Sequence, residues 1–204
     1  SVSTRDGFDA DDDGFRSLSA NLNVAHTWAV GQTIGAQVYS SRGHYQFDGS
    51  DFPAEQDLRQ EIFGLTSHNA LTSFWKSQVK LGKSADVMES IGAFGSSYLK
   101  TTQYQFSWQN DLDLPVGKLT LAYDRLEDQV SGSTDFSEDK RINNGYLANY
   151  LLPLASHTFK LGFRRDYNSQ FGTHTTGNIG YGYQFNPQWR ASTSYGTAFR
   201  APTF

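Results

Sequence analysis

The chain has 204 residues, enough for one domain or for part of a larger one, and it carries a mild net charge of -4. It contains no cysteine, which excludes a disulfide framework, and its basic residues form no patch of the kind that binds nucleic acid. No run of apolar residues approaches the ~20 that a membrane-spanning helix needs, so the composition argues against a helical inner-membrane protein.

The first segment, residues 15–28, alternates between an apolar and a polar face along its whole length. The apolar face carries Leu18, Ala20, Leu22, Val24, His26 and Trp28, and the polar face carries Ser17, Ser19, Asn21, Asn23, Ala25 and Thr27. A period of two residues is the signature of a β-strand. The segment is far longer than an ordinary soluble strand of about 5–6 residues, which favours a strand that crosses a membrane.

The same alternation recurs down the chain and predicts about ten strands. The later apolar faces are formed, in chain order, by Ile34, Ala36 and Val38; Val79 and Leu81; Tyr104, Phe106 and Trp108; Leu119, Leu121 and Tyr123; Tyr146, Ala148, Tyr150 and Leu152; Phe159, Leu161 and Phe163; Ile179, Tyr181, Tyr183 and Phe185; and Trp189, Ala191, Thr193, Tyr195 and Phe199. Residues 58–70 alternate less clearly, and Phe63 and Leu65 there favour the odd positions for the apolar face.

The charged residues indicate which face meets lipid. The polar faces of these segments carry Lys80, Lys118, Asp124, Lys160, Arg164 and Arg190, whereas no charge is predicted at the middle of the apolar faces. A cationic side chain at the bilayer midplane costs about 2–4 kcal/mol, so the apolar face is predicted to lie against lipid. The mean hydropathy of -0.55 does not contradict this, because alternation hides an apolar face in the average.

All four tryptophans lie beside predicted short turns, at what would be one rim of a barrel. Short turns are predicted at 29–32, 71–74, 111–117, 153–156 and 186–188, and longer loops at roughly 44–57, 84–95, 127–140 and 166–173. Aromatic rings at the membrane boundary, short turns on one side and long loops on the other are typical of outer-membrane proteins. The predicted fold is therefore all-β, a transmembrane antiparallel up-and-down β-barrel, and a soluble sandwich or lipocalin-like barrel is the less favoured alternative.

Two stretches resemble the TonB-dependent outer-membrane receptors: residues 163–172 (FRRDYNSQFG) and residues 189–202 (WRASTSYGTAFRAP). The likeness is strongest to receptors for cobalamin (vitamin B12), through residues 168–172 (NSQFG) and the acidic stretch 7–15 (GFDADDDGF). The resemblance implies a barrel of about 22 strands, closed by a plug domain, in the outer membrane of a Gram-negative bacterium. Residues 1–204 would then be a partial barrel domain, without the plug and without the C-terminal strands.

Acidic residues crowd two predicted external loops and suggest a calcium site. Calcium takes 6–8 oxygen ligands, which carboxylates from two adjacent loops would supply. The resemblance implies the ligands Asp9, Asp11, Asp13 and Asp57, with calcium ordering the loops for substrate. The alternative is that these acidic side chains are simply solvated.

The resemblance implies active uptake of cobalamin or a related nutrient, energised by TonB acting through the plug. Arg164 and Arg190 would then either contact the plug or line a hydrated wall. A siderophore receptor is the main alternative for the substrate. A ten-stranded outer-membrane protease using Asp166 and His174, or a passive porin, is less favoured, because the chain contains no recognisable catalytic motif and so predicts no enzyme.

Overall fold

The structure, a computed structural model, describes residues 13–49, 52–92 and 95–201. This part of the chain forms ten strands: β1 (Phe15–Ala29), β2 (Gln32–Gly49), β3 (Phe52–Ala70), β4 (Trp75–Gly92), β5 (Gly95–Asp113), β6 (Lys118–Gly132), β7 (Lys140–Leu154), β8 (His157–Asn168), β9 (Gly172–Gln184) and β10 (Arg190–Gly196). No helix long and apolar enough to cross a membrane occurs among these residues.

Every strand pairs antiparallel with its neighbours in sequence, so that a single sheet runs in the order β1 to β10. This is the predicted up-and-down arrangement, with the predicted number of strands. Two of the connections are tight two-residue turns, in which Gly31 has a φ of 73° and Ala155 a φ of 51°. Turns this short hold consecutive strands in antiparallel register.

The register confirms the two predicted faces. Leu22 lies opposite Val38, which lies opposite Phe63, so the weakly patterned β3 shares the apolar face of its neighbours. Side chains on this apolar face are widely exposed in the isolated chain, and Ala54 and Val130 are the only buried hydrophobic residues among those described. A sheet with so little core of its own does not fit a soluble sandwich, and its apolar face needs another partner.

The tryptophans gather at one end of the sheet, here called the tryptophan rim, where the connections are residues 30–31, 71–74, 114–117, 155–156 and 185–189. The indole N–H of Trp75 donates to Asn110 Oδ1 at 2.9 Å, and that of Trp108 donates to Ser77 Oγ at 3.0 Å. Trp28 and Trp189 lie at the same end, with more than half of each residue exposed. Rings with a satisfied N–H and an exposed apolar body suit a lipid–water boundary.

The opposite end, here called the far rim, differs from the prediction. The predicted long loops at 44–57 and 84–95 are mostly strand, since β2 runs to Gly49, β3 begins at Phe52, β4 runs to Gly92 and β5 begins at Gly95. The connections at 133–139 and 169–171 are also shorter than predicted. The prediction relied on apolar–polar alternation, which stops where both faces meet water, although the backbone hydrogen bonds of the ladder continue.

Gly117 closes the β5–β6 turn in a conformation that requires glycine. Its φ is 92°, and a Cβ at this position would run into the carbonyl oxygen of Leu151 and lie 3.3 Å from Leu152 Cα. Because backbone atoms cannot swing aside, Gly117→Ala is expected to lower the free energy of unfolding by about 1–3 kcal/mol. Urea-induced unfolding of the whole protein measures this loss.

Gly64→Ala is the matched control for Gly117→Ala. A Cβ on Gly64 meets nothing nearer than 3.8 Å, and Gly64 has no positive φ. The control is therefore expected to be neutral or to stabilise the protein by at most about 1 kcal/mol. Equal losses for the two variants would contradict the turn argument.

Candidate functional site

The polar face of the sheet carries a network of ion pairs centred on Arg164 of β8. Its Nε and Nη2 donate to the two carboxylate oxygens of Asp166 at 2.9 and 2.8 Å, and its Nη1 donates to Asp124 Oδ2 at 2.9 Å. The two carboxylates flank Gly145 across β6, β7 and β8, because Asp124 lies opposite Gly145 and Gly145 lies opposite Asp166. A guanidinium held by three charge-assisted hydrogen bonds has one defined orientation.

Gly145 provides the space for this network. A Cβ at Gly145 would overlap the Arg164 guanidinium and lie 2.9 Å from Asp166 Oδ1. The absence of a side chain on β7 thus lets Arg164 reach across the strand to Asp124. Glycine here serves close packing, since Gly145 is not among the residues with a positive φ.

Neutral donors complete the coordination of both carboxylates. Ser107 Oγ donates to Asp124 Oδ1 at 2.7 Å, and Asn143 Nδ2 donates to Asp166 Oδ1 at 2.8 Å. Asp166 is only 6% exposed, so these hydrogen bonds offset the cost of burying its charge. The described residues contain no buried side-chain nitrogen or oxygen without a hydrogen-bond partner.

The stretch 163–172 owes its pattern to this network. Arg164, Asp166 and Asn168 alternate onto the polar face, while Arg165 and Tyr167 point the other way. Asn168 Oδ1 accepts hydrogen bonds from the backbone N–H groups of Gln170 and Phe171, both at 3.0 Å. This stretch therefore contains the charged residues Arg164 and Asp166 of the polar face and Asn168, which shapes the turn into β9.

A second ion pair lies beside the first, nearer the far rim. Arg141 Nη2 lies 3.3 Å from Asp128 Oδ2, and Gln103 Nε2 donates to Asp128 Oδ1 at 2.8 Å. A cavity of ≈ 330 Å³ on the polar face is lined by residues of both ion pairs. Its lining comprises Gln103, Leu126, Asp128, Arg141, Asn143, Arg164, Asp166, Asn168, Phe199, Arg200 and Ala201.

His174, the residue that a protease would pair with Asp166, makes its contacts elsewhere. His174 is the Cα partner of Asp166, but its Nε2 lies 2.9 Å from the carbonyl oxygen of Phe171 and its ring stacks on Phe199 with centroids 3.5 Å apart. Asp166 is bonded instead to Arg164 and Asn143. The Asp166–His174 pair that a protease would use is therefore not assembled.

Arg164 and Arg190, for which either a plug contact or a hydrated wall was expected, differ in their availability. Arg164 is held on the polar face of the sheet by its ion pairs with Asp124 and Asp166. Arg190 is exposed on the polar face of β10, and it forms no ion pair within the residues that the structure covers. Of the two, Arg190 is the one free to contact a molecule in the interior.

The predicted calcium ligands fall on different parts of the structure. Asp9 and Asp11 lie outside the described residues. Asp13 precedes β1 and Asp57 lies in β3, both at the far rim, and Asp57 Oδ1 is 2.9 Å from His44 Nδ1. Among residues 13–49, 52–92 and 95–201, no group of three or more histidine or acidic side chains is placed to hold a metal ion.

A match to the TonB-dependent receptor-like β-barrel family covers residues 1–204. The chain belongs to the TonB-dependent receptors. Members of this family are transporters of the Gram-negative outer membrane and not enzymes. The apolar face of the sheet is accordingly the lipid face, the polar face is the interior wall, and the predicted fold class is confirmed.

Two relatives within the family are similar to this chain over nearly its whole length. The chain is 24% identical over 204 residues to the vitamin B12 transporter BtuB of Photobacterium profundum, covering 98% of this chain and 34% of the relative. It is 28% identical to the vitamin B12 transporter BtuB of Vibrio cholerae, covering 95% of this chain and 33% of the relative. The chain thus spans about a third of the length of these receptors.

A solved structure supports the fold independently. The siderophore receptor PirA from Pseudomonas aeruginosa superposes with a TM-score of 0.82 at 15% identity, over 93% of this chain and 34% of that receptor. At this identity the likeness concerns the arrangement of strands and not the substrate.

The sequence identified Arg164 and Asp166 separately but not their joint network. The missing information was the strand register, which decides that Asp124, Gly145 and Asp166 lie in one row. A glycine that lies between acidic residues on the two neighbouring strands indicates such a network, but it can be identified only when the strand register is known.

Proposed function

We propose that this chain forms part of the wall of a receptor that takes up cobalamin or a related nutrient across the outer membrane, energised by TonB through a plug domain. The observation that carries the proposal is the match, over nearly the whole chain, to two curated vitamin B12 transporters. The substrate would bind at the far rim and the interior side, where the polar wall offers charged and amide side chains. The barrel wall would supply binding surface and rigidity, not chemistry.

A siderophore is the second candidate substrate. The close superposition on a siderophore receptor favours it only at the level of the fold. The two candidates are separated by direct binding measurements, since a cobalamin receptor and a ferric siderophore receptor recognise chemically unrelated ligands.

We propose further that calcium binds at the far rim through Asp9, Asp11, Asp13 and Asp57. In support, Asp57 is about two-fifths exposed at its side chain, and only one of its carboxylate oxygens is engaged with His44. Asp13 precedes β1 and Asp57 lies in the far-rim half of β3, and β2 alone lies between these two strands. A bound cation would tie the stretch before β1 to the β2–β3 hairpin, and that ordering would favour substrate binding.

The test is a cobalamin titration of the whole receptor in detergent, with calcium and after chelation. We expect binding that weakens at least ten-fold on chelation, and Asp57→Asn is expected to weaken binding in calcium to a similar degree. Asp135→Asn is the matched control, because Asp135 is an exposed acidic residue of the far-rim connection 133–139, outside the proposed ligand set.

The outcomes separate the parts of the proposal. Tight binding that is indifferent to chelation and to Asp57→Asn would retain cobalamin and remove the calcium site. An absence of cobalamin binding under both conditions would reject cobalamin and direct the same assay to ferric siderophores.

A further inference from the structure

The interior face of β1–β5 carries almost no charge in its far-rim half. Among the described interior-facing residues of these strands, from the row of Asn23 and Gln37 to the far rim, Asp86 is the only charged side chain. The outward-facing rows at the same height contain Arg42, His44, Asp57, Arg59, Glu89 and Lys100. The charged interior and apolar outside of the membrane span are therefore reversed in this part of the wall.

An apolar row lies in this uncharged interior surface. Leu58, Met88 and Leu99 are consecutive partners across β3, β4 and β5, so their side chains lie side by side on the interior face. Each is partly exposed in the described chain. A glycine flanks the row on each side, Gly43 on β2 and Gly132 on β6, and these two glycines are four strand spacings apart, about 19 Å along the sheet.

Each flanking glycine makes room for an aromatic ring. A Cβ on Gly43 would lie 2.8 Å from Tyr45 Cε2, and one on Gly132 would lie 3.3 Å from Phe136 Cε2. Both glycines have interior-facing positions in the ladder, so both rings lie on the interior side. Two rings and the three side chains between them form a shallow apolar surface, here called the interior trough: Tyr45, Leu58, Met88, Leu99 and Phe136.

Polar groups border the interior trough on two sides. Toward the membrane, Gln60 Nε2 donates to Asp86 Oδ1 at 2.8 Å, and toward the far rim Gln56 Nε2 lies 3.4 Å from Ser90 Oγ. A cavity of ≈ 420 Å³ lies here, and nine of its eleven lining residues face the interior by register. The other two face outward and lie between lining residues of β3 and β4. An apolar surface with a few polar groups at its edge is typical of small-molecule sites.

The position of the interior trough indicates what it contacts. The trough faces the interior near the far rim, which lies opposite the short turns and is therefore the outer end of the wall. A nutrient that enters from outside passes this surface before it reaches the ion pairs of Arg164. A small molecule in transit is therefore the occupant that the location favours.

We propose that the interior trough binds the flat, uncharged ring system of the transported nutrient and selects such a nutrient over an anionic metal chelate. The apolar side chains would lie under the ring, and the bordering amide and hydroxyl groups would meet polar substituents at its edge. No cation lies among the described interior-facing residues of β1–β5 at this height, and Asp86 would repel an anion. The inference rests on the proposed function and favours cobalamin, whose ring system carries uncharged amides, over an anionic ferric siderophore.

The test uses the whole receptor in detergent, labelled with [13C-methyl]methionine and observed by NMR. Met88 is the one methionine of this chain, and its resonance is identified by its loss in Met88→Leu. A ring that packs on the Met88 methyl group shifts this resonance upfield. We expect cobalamin to cause the shift, and the gallium complex of a tris-catecholate siderophore, which is anionic and diamagnetic, to cause none. A shift with the chelate, or cobalamin binding that leaves Met88 unmoved, would overturn the proposal.

A double variant removes the apolar neighbours of Met88. Leu58→Asn/Leu99→Asn is expected to weaken cobalamin binding about 100-fold, because burial of one leucine side chain contributes roughly ten-fold. Val87→Asn is the matched control, since Val87 adjoins Met88 in β4 but faces outward. Its cobalamin affinity is expected to stay within about two-fold of the wild type. Equal affinity of the double variant and the wild type would contradict the assignment.

A third probe separates failure of the trough from failure of cobalamin as the nutrient. Benzimidazole is a small, planar, water-soluble ring that is uncharged at neutral pH. If cobalamin does not bind, the proposed nutrient is wrong, and benzimidazole still tests the trough. An upfield shift of Met88 that disappears in Leu58→Asn/Leu99→Asn supports the trough, and the absence of a shift at millimolar benzimidazole overturns it.

Access to Met88 in the nutrient-free receptor tests whether protein fills the trough instead. A soluble paramagnetic reagent is expected to broaden the Met88 methyl resonance, because an open trough admits small molecules. The same reagent is expected to broaden it less once cobalamin is bound. A Met88 methyl group that the reagent fails to reach without nutrient would show that another part of the receptor covers the trough, which would also overturn the proposal.

Discussion

Leu81→Lys is expected to destabilise the receptor by about 2–4 kcal/mol, a large effect for a single exposed residue. Leu81 is 47% exposed in the isolated chain, and it lies between Leu65 and Phe106 in the middle of the lipid face. A lysine there would place an ammonium group near the bilayer midplane. The residues paired with position 81, Leu65 and Phe106, offer no carboxylate to neutralise it. Urea-induced unfolding of the whole receptor in phospholipid vesicles measures the loss.

Gln105→Lys is the matched control for Leu81→Lys. Gln105 lies one position along the ladder, opposite Gly82, and it faces the interior wall. It is exposed there, so the added charge stays hydrated and a change within about 0.5 kcal/mol is expected. If both lysines cost the same, the assignment of the two faces would be wrong.

Arg164→Met is expected to lower the free energy of unfolding by roughly 1–3 kcal/mol. The change keeps most of the side-chain volume but leaves Asp124 and Asp166 facing each other without their shared cation. Breaking a fully buried ion pair costs about 3–5 kcal/mol, and the effect here is smaller because Arg164 is 31% exposed at its side chain. The same unfolding assay applies.

A second substitution tests whether the loss comes from the uncompensated charge. Asp166→Asn, introduced into the Arg164→Met variant, removes one of the two unpaired carboxylates and is expected to restore part of the stability. Arg190→Met, which removes an exposed interior cation with no ion pair among the described residues, is expected to change stability by less than about 0.5 kcal/mol. Failure of Asp166→Asn to restore any stability would indicate that Arg164 acts through packing alone.

The faces and the order of the strands were predictable from the sequence because a two-residue period assigns every side chain to one side. Even β3, with its weak pattern, was placed correctly from Phe63 and Leu65. The far ends of β2 to β5 were not predictable, because polar residues such as Gln46 and Glu55 occupy the face that is apolar elsewhere in these strands. A stretch with polar residues on both faces resembles a loop in the sequence. Hydrogen bonding between strands, which composition does not report, keeps them extended.

The polar network could be predicted only from the strand register together with the two faces. The alternation places Arg164 on the interior face, but its partner on β6, Asp124, follows only from pairing across two strands. The calcium ligands stay a prediction, since Asp9 and Asp11 lie outside the described residues and Asp57 is seen with His44 alone.

Because the strands of the sheet follow one another in sequence order, a hairpin of two strands is the smallest unit that can be added to it or removed from it. If β4 and β5 were removed together, β3 and β6 would become neighbours that still run in opposite directions, with their inward and outward positions unaltered. Removal of a single strand would instead bring two strands together in the same direction and require a long crossover. A wall built in this way can widen or narrow during evolution only in steps of two strands, which is why its circumference and its interior lining are free to vary while its relation to the bilayer is preserved.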